Sequence, residues 1–85
     1  MFWYLCLSRL PKQRKIRVKI INENHVPKRG EELQIVGKFR HKENAEWVKR
    51  LAPKIKEQWG TMLFLTDETM YSYVPSPDGR GPDKR

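Results

Sequence analysis

The chain has 85 residues, enough for one hydrophobic core and too few for a multidomain enzyme. Eighteen Lys and Arg against ten Asp and Glu give a net charge of +8, with 33% charged and 38% hydrophobic residues. A collagen-like repeat and a disulfide scaffold are excluded, and a polyanionic partner is indicated without being named.

The N-terminal run from Met1 to Leu7 lacks the basic residues that precede a secretory signal, and Arg9, Pro11 and Lys12 stand where a small-residue cleavage site belongs. It is far shorter than the roughly 20 apolar residues that span a bilayer as a helix. Residues 2–8 therefore read as a strand that is apolar on both faces. Such a strand needs cover, which a second copy of the chain would supply in a homodimer. Cys6, the one cysteine, has no intrachain partner. A reducing setting, or indifference to redox, is expected, with a cytoplasmic location and no membrane association.

Lys12-Gln13-Arg14-Lys15 forms a charged connection. Ile16-Arg17-Val18-Lys19-Ile20 alternates strictly, which predicts a strand with one apolar and one basic face. Pro27-Lys28-Arg29-Gly30 reads as a turn, with Gly supplying a positive φ. The third strand spans Leu33 to Arg40. Leu33, Ile35 and Phe39 are expected on one face, and Gln34, Val36, Lys38 and Arg40 on the other. Gly37 predicts a bulge or a close backbone approach.

Asn44 to Trp59 carries the clearest helical signal. Asn44 is a candidate cap, and Val48, Leu51, Ala52, Ile55 and Trp59 form one apolar stripe. Gly60 suits the position just past the helix end. Pro53 either kinks this helix or opens a second one, and the unbroken stripe favours a kink. Two further strands are predicted, Thr61 to Thr66 and Thr69 to Val74, joined through Asp67-Glu68. Residues 1–75 make a single domain. Residues 76–85, rich in Pro and Gly, are expected to be a disordered tail.

The order β-β-β-α-β-β makes this an α+β protein. A small antiparallel sheet with one helix on a face has that order, and so does a partly open five-stranded barrel of the oligonucleotide-binding type. No motif decides between them.

Charge placement is the main functional signal. Residues 1–60 carry a balance of +9 and residues 61–85 a balance of −1. If the second and third strands pair as a hairpin, Lys15, Arg17, Lys19, Lys38 and Arg40 lie on one sheet face. Like charges opposite one another destabilise a sheet, and a phosphate backbone would relieve them. Lys28 and Arg29 at the hairpin tip extend the surface. The predicted function is backbone binding to RNA or DNA through these seven residues. The same face would also serve a protein-interaction module, an inhibitor or accessory subunit that docks on an acidic or nucleic-acid-handling partner. A plain solvated face is the bland alternative.

Trp59 and Phe64 are assigned to the core. Tyr71 and Tyr73 alternate on one strand, where packing is favoured over base stacking. Exposed aromatics beside the lysines would favour single strands, and their lack would favour duplex backbone or folded RNA. Cys6, His25 and His41 have no metal-ligand spacing, so no metal or other cofactor is expected. An enzyme is the less favoured class and survives only as a metal-independent basic ribonuclease. It would use His25 and His41 for proton transfer beside Arg40 and Lys42. The two histidine loops are expected at opposite ends of the third strand, which argues against it.

Overall fold

A computed structural model describes residues 1–76 of the chain. Apart from Ser76, the predicted tail lies outside the described residues. The protein is a small α+β fold. Its strands are β1 (Trp3–Arg9), β2 (Arg17–Asn22), β3 (Glu32–Phe39) and β4 (Leu65–Thr66), and its helix is α1 (Lys42–Leu51). The sheet is open and mixed, in the order β2-β1-β3-β4.

β1 is central because it is apolar on both faces. It pairs antiparallel with β2 on one side and with β3 on the other. Leu5, Cys6, Leu7 and Ser8 are all buried. The cover that the strand needs comes from within the chain. On one face Leu5 and Leu7 join Val36, Phe39, Ala45, Val48, Ile55, Leu65 and Met70 in the core, with Val18 and Ile20 of β2 packed against it. α1 lies across this face, in contact with β1, β2 and β3.

The opposite face carries Tyr4, Cys6 and Ser8, which in register meet Ile21, Lys19 and Arg17 of β2. Glu31 closes over it. The Glu31 carboxylate accepts hydrogen bonds from the Ser8 hydroxyl and from Lys19 Nζ at 2.9 Å, so the 23–31 connection arrives on the face away from the helix.

The expected hairpin of the second and third strands does not form. The turn itself exists: the Glu31 amide donates to the Lys28 carbonyl, and Gly30 has φ +79°. It belongs to a crossover, however, because β1 takes the place between β2 and β3. The most apolar strand takes the centre, where both of its faces are covered.

Gly37 stands at a bulge, as its position predicts. Leu5 pairs with Gly37 but Cys6 pairs with Ile35, which leaves Val36 extra. The bulge reverses the expected facing: Val36 turns into the core with Phe39, and Ile35 turns outward. A Cβ on Gly37 would lie 2.7 Å from the Phe39 ring and 3.1 Å from the Leu65 carbonyl oxygen. The missing side chain is what lets β4 approach.

Pro53 splits the helix rather than kinking it. α1 ends at Leu51, and Pro53 opens a 3-10 turn, Pro53–Gln58. Proline has no amide to donate to the preceding turn, and its fixed φ suits a first position. Ala52 and Ile55 stay buried, so the stripe continues through the break while the helix does not, but Leu51, expected in the stripe, is exposed. The helix begins at Lys42, ahead of the expected Asn44 cap.

Of the two C-terminal strands only Leu65–Thr66 forms, parallel to β3. The Gln34 side chain ties down the preceding turn, accepting from the Gly60 amide and donating to the Gln58 and Thr61 carbonyls. Residues 70–72 form a 3-10 turn. A strand there would put Ser72 inward beside Met70 and Val74. The turn instead buries Met70 and Val74 and leaves Ser72 exposed. Tyr71 and Tyr73 pack against the core, as expected, though from a turn. Phe64, assigned to the core, is exposed, because Leu63 and Leu65 take the inward positions on either side.

Candidate functional site

The strand order fixes where the cations stand. Arg9 at the end of β1 pairs in register with Glu32 at the start of β3, and Ser8 pairs with Arg17 at the start of β2. The 10–16 connection and the 28–31 turn therefore meet at this end of the sheet. A Cβ on Gly30 would touch Pro11 Cγ at 2.7 Å, which shows how closely they abut. A groove between them is lined by Arg9, Leu10, Pro11, Gln13, Arg14, Gly30 and Glu32.

Lys12, Arg14, Lys15, Arg17, Lys28 and Arg29 are gathered at this end, and all are exposed. Among the described residues the ion pairs are Arg9 with Glu32 at 2.6 Å, Lys19 with Glu31 at 2.9 Å and Lys42 with Glu46 at 3.9 Å. The six gathered cations take part in none of them.

Four of the seven residues expected from the sequence thus come together: Lys15, Arg17, Lys28 and Arg29. Lys38 and Arg40 lie at the opposite end, where Phe39 and Asn22 flank Trp3. The two ends are separated by the length of β1, about 20 Å at the usual rise per residue. Lys19 stands between them on the same face as Arg17 and Lys38, held by Glu31. Lys12 and Arg14 joined the cluster without any local signal. Only the crossover brings them beside Lys28 and Arg29.

The Glu31 side chain is 1% exposed. Hydrogen bonds from Lys19, Ser8 and the Lys28 amide hold its carboxyl down at about 2. Burial pushes the Cys6 thiol up to about 11, with Lys19 acting in the opposite direction. A thiol so placed is protonated and unreactive at neutral pH. Burial pushes the Asp67 carboxyl up, but the Arg40 amide, the Asn44 side chain and the His41 amide together hold it below the usual range.

Aromatic rings recur beside the cations. Lys38 Nζ sits 4.1 Å from the Phe2 ring centroid, Arg9 4.9 Å from Trp59, Arg50 4.9 Å from Trp47 and Lys42 5.0 Å from Trp3. Trp47 also donates its indole N–H to the Pro75 carbonyl at 2.6 Å.

The two histidines are not at opposite ends of β3. His25 follows β2 and His41 follows β3, and these parallel strands end together on either side of Trp3. The separation expected from the chain order is therefore absent. His25 Nε2 is buried with no hydrogen-bond partner among the described residues, while His41 is exposed. Among the described residues no three His, Cys, Asp or Glu side chains gather as a metal site. No described helix is long and apolar enough to cross a membrane. Compared with family models, curated proteins and solved structures, the chain finds no match in any of the three.

Proposed function

We propose that this protein binds nucleic acid through its phosphate backbone, with the basic end of the sheet as the main contact. The observation that supports this is the gathering of Lys12, Arg14, Lys15, Arg17, Lys28 and Arg29 with no carboxylate paired to any of them among the described residues. Holding six like charges together costs free energy that a polyanion returns by displacing its own condensed counterions. Lys38 and Arg40 offer a second contact at the far end. Lys19, already neutralised by Glu31, adds least. Backbone contacts carry no base information, so binding is weakly selective for sequence.

The salt dependence of affinity tests this. Each phosphate contact contributes a slope of about −0.7 in log K against log salt for single strands and −0.9 for duplex. Changing Arg17 and Arg29 to Gln flattens the slope by about 1.4–1.8. Lys54→Gln with Lys56→Gln removes the same charge from the 3-10 turn after α1 and leaves the slope nearly intact. Equal effects of the two pairs would mean that net charge alone governs binding. No measurable binding at moderate salt would favour an acidic protein partner instead.

A further inference from the structure

We infer that the ligand of this protein is single-stranded nucleic acid, whose bases stack on Phe64 at the β3–β4 side of the sheet face away from the helix; this rests on the backbone-binding reading above. Phe64 precedes β4 between two inward-facing leucines, so its ring stands on the side away from the core. It is 52% exposed. In register, Thr66 of β4, Lys38 of β3 and Tyr4 of β1 form one row across that same face. Ile35, 47% exposed, stands on this face in the next row, opposite Cys6. Lys38 Nζ is held over the Phe2 ring, 4.1 Å from its centroid. An outward aromatic ring and a cation thus share one face, and the six-cation end lies along the same sheet.

A single strand fits this combination. Its phosphates follow the cations, and its unpaired bases offer flat faces to an exposed ring. A duplex keeps its base faces stacked inside, so an outward Phe gains nothing from it. A second copy of this chain fits poorly, because it would set Lys38 against Lys38 and one +8 molecule against another.

Fluorescence anisotropy with a thymidine oligonucleotide and a duplex of equal length provides the test. The expected result is tighter binding of the single strand. Phe64→Ala weakens it at least about fivefold, the lower bound for losing one stacked base, and changes duplex binding less than about twofold. The salt slope is unchanged, since no phosphate contact is lost. Phe64→Trp keeps the affinity, while Phe64→Leu behaves like Ala because it restores apolar area without a π-face. The side chain is exposed, so all three variants fold, which circular dichroism verifies. Duplex binding as tight as single-strand binding overturns the inference and leaves backbone binding standing. So does single-strand binding indifferent to Phe64→Ala or restored by Phe64→Leu. Failure to bind either nucleic acid overturns both readings.

Discussion

Glu31 is the residue on which the sheet face away from the helix is organised. Its carboxylate takes hydrogen bonds from Ser8, Lys19 and the Lys28 amide, and so ties the crossover to β1 and β2 at once. Its carboxyl is lowered from 4.5 to about 2. A lowered folded-state value means that the stabilisation is complete above pH 4.5 and is lost as pH falls towards 2. Glu31→Gln is therefore expected to cost about 1–3 kcal/mol at neutral pH, since it weakens a largely buried acceptor and leaves Lys19 without its ion pair. In urea melts the gap to the parent chain narrows as pH falls through that window. Glu32→Gln, which removes an exposed pair with Arg9, costs under about 1 kcal/mol. A gap that stays constant with pH would show that the ionised carboxylate is not what holds the crossover. This residue was illegible in the sequence. Glu31 and Glu32 are adjacent, and which of them turns inward depends on β1 lying between β2 and β3. Arg17 and Lys19 were legible as outward-facing, because alternation along a strand is local.

At the scale of elements, the same division between local and long-range signals decides what could be read. β1, β2, the turn at Gly30, the bulge at Gly37 and the apolar stripe through Ile55 follow from spacing and residue type. The facing of Ile35 and Val36 did not, because a bulge says that a strand is interrupted without saying which residue is extra. The last predicted strand failed for a related reason: Met70 and Val74 are four apart, which buries both from a turn, and the tyrosine alternation masked it. The start of α1 also depends on a distant partner. Asp67, just past β4, accepts from the Arg40 amide at 2.7 Å, the His41 amide at 3.3 Å and Asn44 Nδ2 at 2.7 Å. His41, the residue at the cap position, makes no side-chain capping bond. Asp67 thus holds the Arg40–His41 entry to the helix from outside, and its negative charge stands near the positive end of the helix dipole. Asp67→Ala is expected to cost about 1–3 kcal/mol, the range for leaving hydrogen-bonded donors without their acceptor. Glu68→Ala, an exposed neighbour, stays within about 0.5 kcal/mol. Equal losses in the two variants, read by chemical denaturation, would remove Asp67 from this role.

For the whole molecule, the sign of the charge was plain in the composition, and its arrangement was not. Lys12 and Arg14 read as a solvated connection until the crossover sets them beside Lys28 and Arg29. The distinction is thermodynamically measurable. Folded and unfolded chains carry the same +8, so attraction that depends on charge alone acts on both and leaves stability nearly unchanged. A ligand that recognises the gathered cations binds the folded state preferentially. At about 100 times its Kd it stabilises by up to roughly 2.7 kcal/mol. In a domain of this size each kcal/mol is worth about 4–8 °C in Tm, so a saturating oligonucleotide is expected to raise Tm by about 10–20 °C at low salt. Arg14→Gln with Arg29→Gln removes two of the six cations and shrinks the rise at the same oligonucleotide concentration. Lys54→Gln with Lys56→Gln removes equal charge from outside the cluster and preserves it. Raising the salt abolishes the shift in every chain, because counterion release is its source. If scanning calorimetry gave the same rise for all three proteins, the unfolded and folded chains would be distinguished by nothing local, and the basic end of the sheet would not be a site.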